Sequence, residues 1–508
     1  MTTNRKTKAV VRDLSKSKLL ACRQCPKRLW LEVHRPELRE DSPQAQARFA
    51  MGHQVGDVAR RLYDRMGAGD LLDPHTEGFD VAIARTQTLL TGKRPIFEAT
   101  LRAEGALALA DVMLPDRWKG KHGWRMIEVK SATSVKDYHK DDAAIQAFVS
   151  RSAGVPLTRI AVAHIDSAWV YGGGEDYDGL LKEVDVTQEA SDRHSEVGQW
   201  VAEAQRVVAR RTPPKSSTGA QCADPYECGF LAHCQSQEPQ AQLPIHWIPR
   251  RSKSLSEHLD THRITEIRDV PDDLLNLMQQ RVKKATLSGT QHFDQAASAR
   301  ELSQHRLPAY FLDFETVQFA VPIWKGTRPY QQIPFQFSLH RLSRTGKLTT
   351  RAFLDLSGND PSKPFAQALI DGCGEREPIF VYNAAFEKTR IRELAERFPR
   401  MAKPLLALNE RIVDLLPIAR DHYYHPSQEG SWSIKAVLPA LCPELSYEDL
   451  EGVQDGGAAM EAFLEALSPD TSPAREVEIE RQLLAYCAMD TYAMVRIWAA
   501  FNGTTLEN

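Results

Sequence analysis

Two stretches of the sequence, about 200 residues apart, each carry acidic residues at spacings suited to a divalent cation. The first is Glu98, Asp111 and then Glu128-Val129-Lys130; the second opens at Asp313-Phe314-Glu315 and closes at Tyr486-Cys487-Ala488-Met489-Asp490. Mg²⁺ and Mn²⁺ are hard ions that take oxygen ligands, and hydrolysis of a phosphodiester needs a metal to activate water and offset charge. The chemistry expected of these residues is therefore metal-dependent phosphodiester hydrolysis, at two sites. Cysteines bracket the first set: Cys22 and Cys25 precede it, and Cys222, Cys228 and Cys234 follow with five residues between neighbours.

The elements that would hold these groups can be read from periodicity. IFEATLRAE, LALADVMLP and WRMIEVKSA read as strands, after a helix around GHQVGDVARRLYDRM. Alternation puts Met126, Glu128 and Lys130 on one strand face and Ile127 and Val129 on the other, so Glu128 and Lys130 point together, with Asp111 on the preceding strand. The helix YHKDDAAIQAFVS then turns Gln146 back toward them. In the second set, AYFLDFETVQF puts Phe311, Asp313 and Glu315 on one face, and QIPFQFSLHRL reads as its antiparallel partner. PIFVYNAAFEKTRIRELAERF runs from strand to helix with Asn383, Phe386 and Glu387 at the junction, and RIVDLLPIARDHY supplies Asp414. The closing segment EVEIERQLLAYCAMDTYAMVRIWAAF is helical in period, with Tyr486 and Asp490 four apart on one face.

At 508 residues the chain is too long for one core, and two or three domains are expected. Hydrophobic residues at 42% and charged residues at 26% are ordinary for a soluble protein, and no apolar run reaches membrane-spanning length. The N-terminus is basic without the apolar core of a signal peptide, which predicts a cytoplasmic location and no membrane partner. The net charge of −3 is unevenly spread: residues 1 to 40 hold eleven Lys or Arg against four Asp or Glu. Further basic knots occur at Arg206, Arg210, Arg211 and at Arg250, Arg251, Lys253, a distribution that suits a nucleic-acid partner. Residues 235 to 245 read as a linker, and the stretch to about 305 as a helical connector in which LDTHRITEIRDVPDDLLNLM suggests a short helix-turn-helix.

The cysteines divide by spacing. Cys373, Cys442 and Cys487 stand alone in apolar contexts and read as buried thiols. In a cytoplasmic protein the compact trio Cys222, Cys228 and Cys234 points to metal rather than disulfides, and thiolates favour zinc or an iron–sulfur cluster. The fourth ligand is either His233, inside the trio's own segment, or Cys25, nearly 200 residues upstream.

Asp111 with Glu128-x-Lys130, the CPKR motif at Cys25 and the late cysteines together resemble the RecB-like PD-(D/E)xK nucleases, in the branch that includes the CRISPR-adaptation exonucleases, over about residues 10–236. The resemblance implies a restriction-endonuclease-like α/β domain. In it Asp111 and Glu128 hold Mg²⁺ or Mn²⁺, Lys130 helps position the attacking water, Glu98 and Gln146 support, and Cys25, Cys222, Cys228 and Cys234 hold a 4Fe-4S cluster. Two departures are visible: the late cysteines are evenly spaced, and Gly56 stands where relatives carry a metal-binding histidine, with His53 close by.

Asp313-x-Glu315, then Asn383-x-x-Phe386-Glu387, then Tyr486-x-x-x-Asp490 resemble the DnaQ-like 3′-5′ exonucleases of the DEDDy class over about residues 306–503. That implies an RNase H-like α/β domain in which Asp313, Glu315, Glu387 and Asp490 bind two metal ions and Tyr486 orients water. Glu387 stands where aspartate is usual, so Asp414 is a candidate to share its task. The two halves, joined by the connector at 237–305, resemble an uncharacterised bacterial family in which a domain of unknown function follows a RecB-like nuclease. The implied function is a DNA nuclease with two centres, acting on single-stranded DNA or DNA ends in bacterial DNA repair or antiviral defence. The Gly56 and Glu387 departures keep open a nucleic-acid-binding effector or scaffold with one or both sites degenerate.

Overall fold

Alternating apolar segments in the first 190 residues pair into one mixed sheet: β1 (Leu14–Ser15), β2 (Asp70–Leu71), β3 (Ile96–Ala103), β4 (Ala106–Trp118), β5 (Lys121–Lys130), β6 (Leu157–Ile165) and β7 (Leu181–Asp185). The computed structural model describes residues 12–505, and the strand order is β2-β3-β4-β5-β6-β7 with β1 beside β4. β3, β4 and β5 form an antiparallel meander; β5 and β6 run parallel, joined by the helix Asp137–Ser152. A crossover of this kind needs a helix to carry the chain back along the sheet.

The meander leaves a gap that matters. The β4–β5 ladder runs from Trp118↔Lys121 to Val112↔Ile127, and β1 pairs with Ala106 and Leu107 further down the same strand. Asp111 lies between these two pairings, and its carboxylate accepts the Val129 N–H at 2.7 Å. One sheet face, carrying Met126, Ile160 and Val162, is buried with residues of the helices Lys16–Gln24, Pro26–His34, Asp137–Ser152 and His194–Val208; the other gathers Phe97, Val112 and Ile127 near Tyr63.

The second sheet has the order β11-β10-β9-β12-β13, after a short β8 (His292–Phe293) that pairs with β14 (Tyr423–Tyr424). Its strands are β9 (Ala309–Val317), β10 (Ile333–Leu342), β11 (Leu348–Leu354), β12 (Ile379–Val381) and β13 (Ile412–Asp414). β9, β10 and β11 are antiparallel, and β12 runs parallel to both β9 and β13. Alternation along β9 sends Phe311 into one core, with Phe380 and Trp498, and Leu312 and Phe314 into another, with Phe365. The helix Pro473–Asn502 starts at Ser472, whose side chain accepts the Arg475 N–H, with Pro473 in its first turn; it stops at Gly503 in the left-handed region.

The described chain separates into two compact units. One is formed by residues up to Pro239 together with Phe319–Gln331; the other by Gln240–Gln318 and the residues from Gln332 onward. The connector expected at 237–305 thus packs as part of the second unit, where Leu255, Leu259 and Ile267 make a small core and Ser298 Oγ donates to Phe501 O at 2.9 Å. Its expected helix-turn-helix is not formed. The helices Lys253–His262 and Leu277–Ser288 are separated by two 3₁₀ turns, Ile267–Asp269 and Asp272–Leu274, far longer than the three- or four-residue turn of that motif. The segment Phe319–Gln331 leaves from the end of β9 and joins the first unit, burying Ala320 and Val321 with Val55, Val58, Ile165 and Leu180.

A buried polar relay fixes the long helix to β10: Thr491 Oγ1 lies 2.8 Å from Ser338 Oγ and 2.8 Å from His340 Nδ1. Thr491→Val keeps the shape but strands both partners in the core, so it should cost about 1–3 kcal/mol. Urea unfolding checks this; an unchanged midpoint would show that the relay contributes nothing net.

Candidate metal centres

The first centre is built at the β4–β5 splay. Glu128 is almost fully buried, and each of its oxygens is engaged: Lys16 Nζ and Lys130 Nζ both reach Oε1 at 2.6 Å, and the Gln146 amide donates to Oε2. Asp142, one helical turn before Gln146, accepts from Lys130, lies 3.5 Å from Lys16 and takes a second bond from Gln146 at 3.3 Å. Glu98 faces this group from β3, opposite Asp111, where the β3–β4 pairing skips from Phe97↔Val112 to Ala99↔Ala110. Its φ of 56° puts a non-glycine residue in the left-handed region, a backbone cost that clusters at functional sites. All the residues expected here, Glu98, Asp111, Glu128, Lys130 and Gln146, are brought together.

Lys16 and Asp142 were missed by the sequence reading. Asp142 had a signal, since it stands four before Gln146 on the same helix face. Lys16 had none: it is 112 residues from Glu128 and arrives because β1 fills the end of β4 that β5 leaves free. Gly56 lies in the helix Pro43–Tyr63, where an added Cβ would meet nothing within 4 Å, and His53 on the same helix is exposed.

Burial pushes the Glu128 carboxyl up to about 8, with Asp111 and Asp142 adding to it. Burial also raises Glu98 and Asp111. Asp142 moves the other way, because Lys130 and Lys16 outweigh its burial and hold it well below the usual carboxylate range.

In the second centre, Asp313 and Glu315 project from β9 and Asp490 from the long helix, and Tyr447 OH donates to Asp490 Oδ1 at 2.6 Å. Carboxylate oxygens of Asp313 and Glu315 and the Cys487 sulfur lie within 4.8 Å of one another. Cys487 is the buried free thiol expected, but it lies against the acid group rather than alone among apolar residues. Glu387, on the first turn of the helix Ala385–Arg397, is 2% exposed, and its Oε2 has no hydrogen-bond partner among the described residues. Tyr486 is buried beside Asp490, and Lys435 Nζ lies 5.2 Å from the Tyr486 ring centre and 5.3 Å from that of Tyr447. Tyr447 and Lys435 come from segments with no motif, so nothing in the sequence singled them out.

Asp414 is engaged by the backbone. It closes β13 and accepts the N–H groups of Asn383 at 2.9 Å, Ala384 at 3.0 Å and Leu416 at 3.0 Å. These bonds hold Asn383 at φ 77°, a left-handed turn that starts the helix bearing Glu387. Burial raises every acid of the centre: Asp313 well above its ordinary range, Glu315 and Glu387 to about 8, and Asp490 to about 6.

The cysteines meet in a cleft lined by Cys25, Cys222, Cys228 and Cys234 with Lys27, Arg28 and Phe230. His233 is not among the residues that line it. Gln24 ties the two distant segments together by donating to Gln221 O and Tyr226 O, both at 2.7 Å. Burial raises the Cys228 and Cys234 thiols, the opposite of what a bound cation would do. The eleven-residue basic stretch at the N-terminus lies outside the described residues.

Residues 310–433, which hold Asp313, Glu315, Glu387 and Asp414, match a family described as a domain of unknown function, DUF2779. The chain is 27% identical over 206 residues to an uncharacterised protein of Mycoplasma pneumoniae, the MG366 homolog, a match covering 37% of this chain and 31% of that protein. It is 24% identical over 207 residues to the uncharacterised MG366 of Mycoplasma genitalium, with the same two shares. The chain thus spans about a third of the length of the curated relatives it matches. Among the described residues no helix is long and apolar enough to cross a membrane.

The raised carboxyls of the second centre make stability depend on pH in a defined direction. A carboxyl whose pKa is higher folded than unfolded favours the fold while protonated, and that stability is lost as pH rises through about 6 to 8. Glu128 acts in the same direction, whereas Asp142 and the two lysines keep their charges across this range. Metal-stripped protein should therefore melt at lower temperature at alkaline pH than at about pH 6. Mn²⁺ should reverse most of the loss, and Glu387→Gln should shrink it. Differential scanning calorimetry in chelator tests this, and a melting temperature that rises with pH would refute it.

Proposed function

We propose that this chain is a metal-dependent nuclease with two catalytic centres, a PD-(D/E)xK centre in the first unit and a DnaQ-like 3′-5′ exonuclease centre in the second, acting on DNA ends or single strands. The observation that carries the reading is the second centre's set of four carboxylates, Glu315, Glu387 and Asp490 buried and Asp313 half-buried beside them, with Glu387 Oε2 left without a partner among the described residues. Buried carboxylates without counter-charge are costly, and oxygen-binding divalent cations are what such a set fits. When bound, Mg²⁺ or Mn²⁺ supplies charge stabilisation of the phosphodiester and an activated water.

The chain's own residues do the rest. Tyr447 holds the Asp490 carboxylate in one orientation, Tyr486 offers a phenol at the same acid for orienting water, and Lys435 places a cation against both rings. Asp414 positions Glu387 by shaping the turn before its helix. In the first centre Asp111 and Glu128 are the ligands, Lys130 positions water, and Glu98 and Gln146 set the ligands' orientation. The αβ order there, an antiparallel meander followed by a helix and a parallel strand, supports the restriction-endonuclease-like fold; the antiparallel-then-parallel order of the second sheet supports the RNase H-like one.

The cysteine cleft fits a 4Fe-4S cluster held by Cys25, Cys222, Cys228 and Cys234, a structural clasp joining segments nearly 200 residues apart. Protein purified without oxygen should be brown and carry iron, and Cys228→Ser should bleach and destabilise it. Stoichiometric zinc without iron would overturn the cluster.

The activity test is degradation of end-labelled single-stranded DNA by the purified full chain with Mn²⁺. Asp313→Ala should abolish 3′-end trimming while Lys130→Ala spares it. Glu387→Ala should cost about 10²-fold, as for a lost positioning ligand, with Glu387→Asp restoring part. Asp414→Ala should lower the melting temperature more than the rate. Retarded mobility of the DNA with no shortening would replace the nuclease with a binding effector.

A further inference from the structure

The first centre contains a cation of its own that the fold brings in from far away. Lys16 is the first residue of the helix Lys16–Gln24, set in place by the Ser15 cap and by the pairing of β1 with Ala106 and Leu107. Its ammonium lies 2.6 Å from Glu128 and 3.5 Å from Asp142, inside the acid group, and its side chain is only 22% exposed. The charge of Lys16 also acts on Asp111 and Glu98, so all four carboxylates of the centre face it. Lys130 shares the same two partners, meeting Lys16 at Glu128 Oε1 and taking the other oxygen of Asp142. Arg60, the other cation acting on Glu98, is paired with Asp57.

Charge matching then distinguishes the two centres. Four carboxylates against Lys16 and Lys130 leave two negative charges, which one divalent cation cancels. In the second unit four carboxylates meet, among the described residues, the single cation Lys435, which stands off against two aromatic rings; three negative charges remain, more than one divalent cation cancels. We infer that Lys16 takes the place of a second cation in the first centre, making it a one-metal site whose other positive charge is built into the chain. This rests on the metal-centre reading above. Lys16 pairs with both Glu128 and Asp142, and it would supply from the chain the positive charge that a second ion would give in a two-metal site. Because the ammonium is covalently attached, that charge is present at every divalent concentration.

The test counts ions rather than products. In full-length protein carrying Asp313→Ala and Asp490→Ala, which removes ligands of the second centre, Mn²⁺ binding is measured by titration calorimetry and by electron paramagnetic resonance. One Mn²⁺ per chain with the spectrum of an isolated ion is expected. Adding Lys16→Met should raise this to two, with the broadening of a coupled pair, whereas Lys16→Arg should keep it at one. Two ions with Lys16 present, one ion with Lys16→Met, or two with Lys16→Arg would each overturn the inference while leaving the metal centre standing. Absence of any Mn²⁺ that Glu128→Ala removes would overturn the metal-centre reading itself, and the inference with it. Unchanged far-ultraviolet circular dichroism confirms that each variant is folded.

Discussion

Placing several carboxylates together inside a protein is the constraint from which both units are built. An unpaired buried carboxylate costs several kcal/mol, and like charges side by side add to that. The fold must therefore be stable enough elsewhere to hold acids that repel one another, and something positive must meet them. The first unit supplies Lys16 and Lys130, which hold Asp142 ionised while Glu128 is raised. The second unit supplies one lysine at a distance, and all four of its acids are raised. The same local requirement is met in the first unit by cations of the chain, and in the second by acids that stay raised with little counter-charge.

Holding the acids in place draws on irregular points of each sheet. Glu98 and Asp111 face each other across strands that skip a pairing, and Val129 gives its N–H to Asp111 rather than to a neighbouring strand. Asp414 spends both oxygens on three backbone amides so that the helix bearing Glu387 starts where it does. Left-handed Glu98 and Asn383 mark where the backbone bends away from its preferred conformation. Such positions persist only because cores on both sheet faces leave no alternative packing.

The cysteine cleft solves a separate problem. The segments carrying Cys25 and Cys222 are almost 200 residues apart and meet through a few polar bonds from Gln24 and a small apolar contact. Closing so long a loop costs entropy, and a bound cluster joining four sulfurs would remove that cost from the folded side. Since Lys16 lies on the helix that precedes Cys25, whatever stabilises the cleft also steadies the first centre.

The sequence by itself determined which residues share a face: Glu128 with Lys130, Asp313 with Glu315, Tyr486 with Asp490. Periods of two and 3.6 residues are properties of a strand or helix wherever it packs. It also carried the strand–helix order around both centres, because apolar alternation and turn residues are local. What only the tertiary structure decided were contacts between elements far apart in the chain. Lys16 reaches Glu128 through a two-residue strand too short to read, and Tyr447 reaches Asp490 from an isolated 3₁₀ turn. Cys25 rather than His233 completes the cleft, Cys487 joins the acids, and Asp414 caps a helix. The residues 319–331 pack with the first unit although they lie between two strands of the second. None of these has a local period, since each depends on which apolar faces bury one another, and that choice is made by the whole chain at once.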